Sequence, residues 1–260
     1  MILIAGPCVI ESYDILRKTA DFLSKVLENK NIEFYFKASC IKDNRTAIQN
    51  YRGPGLIKGL HMLQKIKKEY GFKITTDFHS ASQIESFGKT VDLIQIPAFL
   101  CMQTKLTLEV ARTQKVINVK KGQFLSPEDV KNIIGKIESV GNNKILLTER
   151  GTMFGYHNLV VDMRSFPIMR STGYPVVFDV THTVRVYGIP SKDPRGGRPE
   201  FIEYLARAGV AAGIDAIFIE THPNPEDALS DASSMLPLGK LEELLTTLIK
   251  IDTVVKSHDV

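Results

Sequence analysis

Ile2-Leu3-Ile4-Ala5-Gly6-Pro7-Cys8 opens the chain, and its first run is apolar at every position. A strand without polar alternation is one covered by protein on both faces. Gly6-Pro7 ends the run, and no G-x-G-x-x-G follows it, which counts against a dinucleotide-binding open sheet. Seven further short runs have the same character: Glu33–Ala38, Lys73–Asp77, Leu93–Ile96, Val116–Val119, Ile145–Thr148, Pro175–Val180 and Ala216–Glu220. Longer stretches of helical period lie between them. Eight strand–helix units with no break in composition predict an α/β fold, a single (β/α)8 TIM barrel over residues 1–260. A doubly wound open sheet is the alternative.

The helices are legible from spacing and punctuation. Asp14–Asn29 sets Leu16, Ala20, Leu23 and Leu27 on one stripe, and Leu56, Leu60, Leu63 and Ile66 repeat the pattern. Ser126-Pro127-Glu128-Asp129 reads as a helix start, with a serine cap, proline at the first position and acids at the positive end of the dipole. Gly141 suits its exit. Phe201–Gly213 and Leu241–Val255 are the last two helices. Lys65, Lys67 and Lys68 read as a solvated helix face.

The 260 residues carry 33 Lys+Arg against 29 Asp+Glu, a net charge of +4. That excess is too small to indicate nucleic-acid binding. The 43% hydrophobic and 24% charged content excludes disordered and fibrous classes. Three scattered cysteines do not make a disulfide framework, which points to a reducing compartment. No apolar run approaches the roughly 20 residues of a membrane span, and the N-terminus lacks the features of a signal peptide. The expectation is a soluble, cytoplasmic protein.

In a barrel of this kind the chemistry sits at the carboxyl ends of the strands. Here those ends are polar throughout, and Lys37, Lys42, Arg45, Lys120 and Arg150 are cationic. Cations gathered at a dry mouth repel one another unless anions join them, and phosphates or carboxylates are the natural guests. Pairing of any one cation with a neighbouring Asp or Glu is the competing expectation; pairing of all five is not expected. Asp77 and His79 alternate along one strand end and so share a face, which suits a sugar hydroxyl, a proton-transfer partner or a loop cap.

Cys8, His182, Glu220 and Asp231 fall on the first, seventh and eighth strands and the loop after the eighth, neighbours when a barrel closes. Thiolate, imidazole and two carboxylates form a credible shell for a divalent transition metal. A packed cysteine and a structural histidine are the alternative. Cys40 and Cys101 lack such companions and read as packing residues.

Several segments resemble the 3-deoxy-D-manno-octulosonate-8-phosphate synthases. They are Ile4 through Ser12, Lys42 with Asn44-Arg45, Thr75-Thr76-Asp77 with His79, Gln95–Leu100 and Asn118–Phe124. Leu147–Gly151, Phe154–Asp162, Asp179 with Thr181-His182, Gly196–Arg198 and Glu220–Asp231 follow in order. The resemblance implies condensation of phosphoenolpyruvate with D-arabinose 5-phosphate, a homotetramer and a role in lipopolysaccharide synthesis. It implies that Lys37, Ser39 and Lys42 lie near the phosphoenolpyruvate carboxylate. Ala98, Lys120 and Arg150, with Gln95 close by, match the cradle of its phosphate. Asn44, Arg45 and Thr46 match the loop that receives the pentose phosphate, and Asp77 and His79 match residues near the reacting centre. Cys8, His182, Glu220 and Asp231 match the metal site; cysteine at the first position marks the metal-dependent branch, with iron, zinc, manganese or cobalt as candidates.

The chain also departs from the family. Asp43 stands in the pentose-phosphate loop, where it is expected to pair with Lys42 or Arg45 or to face solvent. Met102 stands where the family usually has an arginine that reaches the pentose phosphate of the adjacent subunit. Lys105, one helical turn on, is the expected replacement. The loop Tyr187–Arg198 is individual and is expected to gate the site. A 3-deoxy-D-arabino-heptulosonate-7-phosphate synthase, and a phosphosugar-binding barrel without turnover, are the competing readings.

Overall fold

The computed structural model describes residues 1–45 and 47–257. Eight parallel strands run Ile2–Gly6, Glu33–Lys37, Lys73–Asp77, Leu93–Ile96, Val116–Lys120, Ile145–Glu149, Val176–Asp179 and Ala216–His222. Each pairs with the next in chain order. The first also pairs with the eighth, from Ile2 against Ala216 to Gly6 against Glu220, and this pairing closes the (β/α)8 barrel. The open-sheet alternative is thereby removed. Gly6 is needed at the seam, because a Cβ there would meet the Lys37 carbonyl oxygen at 2.2 Å.

The apolar runs were two-sided because two cores exist. Inside, Ile4, Tyr35, Leu93, Leu146, Val177, Ala216 and Phe218 fill the barrel. Outside, alternate strand residues such as Leu3, Phe36, Ile94, Ile117, Phe178 and Ile217 meet the helices. Tyr13–Leu27 is capped by Ser12, whose Oγ accepts from Ile15 N at 3.2 Å. It ends two residues before the expected Asn29, which takes a left-handed φ of 60°. Leu56–Tyr70 stops at left-handed Gly71. The Ser126 start differs in its first turn: Pro127–Asp129 is 3-10, with a reciprocal Ser126–Asp129 capping box, and α-helix follows over Val130–Glu138. Ile202–Ala211 and Leu241–Lys256 are the last two helices. Lys67 is more than a solvated charge: its Nζ lies 2.6 Å from Asp92 Oδ1 and ties a helix to the start of the fourth strand.

One element has no counterpart in the sequence reading. An antiparallel hairpin, Thr152–Gly155 with Asn158–Val160, sits between the sixth and seventh strands, which still pair directly. It carries the exposed Met153, Tyr156 and Val160. No helix of the described residues is long and apolar enough to cross a membrane.

Candidate active site

Phe218 tops the apolar filling of the barrel. Lys120 Nζ stands 3.6 Å from its ring centroid and Lys37 Nζ 5.7 Å. The His182 ring lies 5.9 Å away, centroid to centroid. Here the interior changes from apolar to polar. A hydrogen-bonded chain crosses the barrel among side chains from the second to the sixth strands. Thr148 Oγ1 donates to Asn118 Oδ1 at 2.5 Å, and Asn118 Nδ2 donates to Gln95 Oε1 at 3.4 Å. Gln95 Nε2 donates to Asp77 Oδ1 at 2.5 Å, and Ser39 Oγ donates to Asp77 Oδ2 at 2.7 Å. Parallel register makes this possible, since Asp77, Gln95 and Asn118 are Cα partners across adjacent strands. Burial alone would raise the Asp77 pKa, but Lys37, His79 and Lys42 together hold it well below the usual carboxylate range. His79 Nε2 lies 4.0 Å from Asp77 Oδ2 and 3.1 Å from the Ile41 carbonyl. Burial pushes its pKa down, against the pull of Asp77.

Four of the five strand-end cations meet carboxylates. Lys37 Nζ lies 2.8 Å from Glu220 Oε1, and Lys42 Nζ 2.6 Å from Asp231 Oδ2. Arg45 Nη1 is 3.7 Å from Asp231 Oδ1, and Lys120 Nζ is 2.5 Å from Asp179 Oδ2. Arg150 has no ion pair among the described residues; it donates to the His182 carbonyl at 3.3 Å, and its buried Nε has no partner. The expectation of unpaired cations therefore holds for Arg150 alone. Burial lowers the Lys120 pKa, opposed by Asp179. For Lys42 the balance reverses: burial disfavours the charge, but Asp231 and Cys8 raise the pKa well above the usual lysine value. Asp43 pairs with neither Lys42 nor Arg45; its partner is Arg52, at the half-exposed rim.

Cys8 Sγ lies 2.9 Å from Asp231 Oδ2. The donor atoms of Cys8, Glu220 and Asp231 all fall within 4.8 Å of one another. His182 Nε2 stands 3.6 Å from Glu220 Oε2 and 3.9 Å from Asp231 Oδ2. Ligands held about 2.0–2.3 Å from a common ion stand roughly 3–4 Å apart; Cys8, Glu220 and Asp231 form the mutually close group, while His182 approaches the two carboxylates without joining it. Two further observations fit a cation there. Glu220 Oε2 is buried with no hydrogen-bond partner, and the Lys42 ammonium sits between Cys8 Sγ and Asp231 as a stand-in positive charge. Without a metal, burial and the two carboxylates push the Cys8 thiol well above its ordinary pKa. Glu220 is held at about 2: burial would raise it, but Lys37, Lys42 and His182 outweigh that. His182 Nδ1 lies 2.8 Å from Asp179 Oδ2, and burial lowers the ring's pKa. A neutral ring with its proton on Nδ1 turns the Nε2 lone pair toward Glu220 and Asp231.

The expected site residues thus converge. A narrow pit of about 30 Å3 is lined by Lys37, Asp77, Gln95, Ala98, Lys120 and Glu220 among others. A wider cavity of about 340 Å3 shares Lys42, Asn44, Arg150 and His182 with the pit and adds Arg45 and Asp231. Ser39 and His79 join through Asp77. Lys105 is exposed on the helix Thr104–Arg112 and lines neither cavity. Thr46 lies outside the described residues.

Five contributors were given no role from the sequence, although Asp179, Lys121 and Glu149 fall within the polar strand ends. Asp179 is the last residue of the seventh strand, and Phe218, being apolar, reads as an ordinary strand residue. Lys121 is almost fully buried, with Nζ 3.5 Å from Glu149 Oε2. Glu149 Oε1 accepts from Arg150 N at 2.8 Å and Gly151 N at 2.7 Å, so the pair fixes the turn that presents Arg150. Arg185 lines the wider cavity from the loop after the seventh strand. A charged residue directly beside a strand-end cation is the only sequence signal for Lys121 and Glu149.

A closed (β/α)8 barrel whose carboxyl end carries a pit lined by lysines and an arginine beside a thiol–imidazole–carboxylate cluster is the architecture of an enzyme. The chain belongs to the DAHP synthetase I family, whose model matches residues 1–257. It is 50% identical over 256 residues to the 2-dehydro-3-deoxyphosphooctonate aldolase of Geobacter sulfurreducens, a match covering 98% of this chain and 94% of that protein. It is 52% identical over 254 residues to the protein of the same name from Pelobacter propionicus, covering 98% and 93%. The corresponding figures for that of Geobacter sp. strain M21 are 51% over 253 residues, 97% and 92%.

Proposed function

We propose that the chain joins phosphoenolpyruvate to D-arabinose 5-phosphate and water, giving 3-deoxy-D-manno-octulosonate 8-phosphate and inorganic phosphate for lipopolysaccharide synthesis. The observation that carries this reading is the junction of the two cavities. There Arg150 and Lys120 stand beside the Cys8–His182–Glu220–Asp231 cluster. The names and near-full-length identity of the relatives support it.

The residues divide the work. Lys120 and Arg150, with the backbone of Ala98, hold the phosphate of phosphoenolpyruvate; the unpartnered Arg150 Nε is a ready donor. Lys37, Ser39 and Lys42 face its carboxylate. Asn44, Arg45 and Thr46 receive the pentose phosphate. C3 of phosphoenolpyruvate attacks the aldehyde carbon, and the aldehyde oxygen takes up a proton. Water adds at C2 and loses a proton; the C2–O bond to phosphate then breaks as the new C2 hydroxyl becomes the ketone carbonyl and gives up its proton, and inorganic phosphate leaves. Asp77 and His79, 4.0 Å apart, stand ready to hold or move these protons, with Gln95 orienting Asp77. Arg150 and Lys120 stabilise the phosphate as it departs. A divalent iron, zinc, manganese or cobalt ion held by Cys8, His182, Glu220 and Asp231 supplies Lewis-acid polarisation of an aldehyde oxygen when bound.

The protein is read as one catalytic domain, cytoplasmic and homotetrameric. The exposed Met102, Phe124, Met153 and Tyr156 supply apolar surface for subunit contact. Lys105 is the residue that an adjacent subunit would present to the pentose phosphate.

The test is phosphate release from phosphoenolpyruvate with arabinose 5-phosphate or erythrose 4-phosphate, each with and without chelator. Release with the pentose, lost on chelation and restored by a divalent metal, is expected. Release with erythrose 4-phosphate alone identifies a heptulosonate synthase, and binding without release identifies a non-catalytic barrel.

A further inference from the structure

We infer that Arg185 binds the phosphate monoester of the second substrate, as a seat built with Arg45 inside one chain. The inference rests on the reading of the barrel mouth as a site for two anionic substrates, and it adds a residue to which that reading gives no role.

The wider cavity has a large imbalance of charge. Lys42, Arg45, Arg150 and Arg185 line it, and Asp231 is the single carboxylate among the described residues of its wall. Asp231 is already engaged by Lys42 at 2.6 Å and by Arg45 at 3.7 Å. Arg185 feels the charge of Asp231 but makes no ion pair among the described residues, and its hydrogen bonds go to neutral acceptors: Nη1 donates to Ser233 Oγ at 2.9 Å and Nη2 to the Ile189 carbonyl at 3.3 Å. Arg45 likewise leans on hydroxyls, Ser230 Oγ at 2.6 Å and Ser191 Oγ at 3.2 Å. Its side chain is only 9% exposed, and its buried Nε has no partner. Neutral oxygens orient guanidinium groups without cancelling their charge. A dianionic phosphate would answer both needs, since its oxygens accept from two guanidinium forks at once.

The two arginines share one scaffold. Ser233 N donates to the Ser191 carbonyl at 3.1 Å, so the seam that receives Arg45 is tied to the seam that receives Arg185. Arg185 stands at the fastened base of its loop. It bridges to Gly197, Val186 N donates to the Gly196 carbonyl at 3.0 Å, and Arg198 N donates to the Val184 carbonyl at 2.9 Å. The loop lies directly against the Ser233 backbone; a Cβ on Gly197 would meet the Ser233 carbonyl oxygen at 2.2 Å. A guanidinium held this way loses little freedom when an anion arrives. Arg45 and Arg185 line the wider cavity and not the narrow pit, which is lined by Lys120, so the seat adds cations beyond those of the pit.

The experiment compares wild type, Arg185→Ala and Arg185→Gln in phosphate release, with arabinose 5-phosphate and with unphosphorylated D-arabinose. Glutamine keeps a donor for Ser233 and removes the charge, so it serves if the alanine variant folds poorly. Loss of a charge-assisted contact is expected to raise KM for arabinose 5-phosphate by about tenfold or more, with KM for phosphoenolpyruvate within about twofold. The preference for arabinose 5-phosphate over arabinose, as a ratio of kcat/KM, should fall by the same factor, which a merely structural loss would not produce. An active wild type whose variants keep that ratio overturns the inference and leaves the proposed function standing, as does a ratio that falls only in Lys105→Ala. A wild type inactive on both sugars overturns the proposed function itself.

Discussion

Asp179 Oδ2 lies 2.5 Å from Lys120 Nζ, and the same oxygen lies 2.8 Å from His182 Nδ1. One buried carboxylate therefore orients a cation of the proposed phosphate cradle and an imidazole of the proposed metal site. Its Oδ1 also accepts from the backbone of Thr181 and His182. Asp179→Asn should loosen metal binding by roughly 10–100-fold, the usual effect of losing such an orienting partner. It should also raise the Kd for phosphoenolpyruvate. Chelator competition and substrate titration measure the two, and a folded variant unchanged in both would show that Asp179 orients neither.

Lys121 and Glu149 form a buried pair behind the cradle. Breaking such a pair by removing one partner typically costs about 3–5 kcal/mol. Lys121→Met should show that loss in urea unfolding. Adding Glu149→Leu should recover only part of it, because Arg150 N and Gly151 N then lose their acceptor. The double variant should keep a raised KM for phosphoenolpyruvate even where its stability recovers.

Asp77 has a pKa depressed in the folded protein, with Lys37, His79 and Lys42 overcoming the effect of burial. A depressed carboxylate contributes stability above its unfolded pKa, about 4, and loses it as pH falls toward the folded value. Asp77→Asn should therefore be less stable than wild type at pH 7, and the gap should begin to narrow as pH falls below about 4. Urea midpoints between pH 7 and 3 trace both curves. A gap independent of pH would mean that the charge of Asp77 contributes nothing.

All three cysteines are buried and free, and among the described residues Cys8 is the one whose thiol makes hydrogen-bond contacts with charged side chains, Asp231 and Lys42. Removing the thiol should weaken metal binding at least tenfold in Cys8→Ser, read by metal content after dialysis. Full activity of the unmutated protein after rigorous chelation, with no metal detected, would remove the metal from the reaction.

Much of the site was legible in the sequence because a barrel sorts residues by position along each strand. Once Leu93–Ile96 is a strand, Gln95 falls near its carboxyl end and belongs at the mouth. The same logic located Asp77, Lys120, Glu220 and their neighbours. It failed for Arg185, which sits in a loop of irregular backbone with no period to read. It failed for the hairpin Thr152–Val160, whose strands are too short to show alternation. It also gave no hint that Phe218 would floor the polar layer, since an apolar strand residue reads the same facing in or out.

The sequence by itself located all eight strands to within one or two residues at each end, because burial on both faces favours short apolar runs. It also determined which polar residues crowd the carboxyl ends. Only the tertiary structure decided which charge meets which. Lys37 and Glu220 stand 183 residues apart in the chain and 2.8 Å apart in space. They meet because the pairing of Gly6 with Glu220 closes the barrel. Closure is a property of all eight strands together, and it is why Lys37, Lys42, Arg45 and Lys120 found carboxylates while Arg150 found none among the described residues.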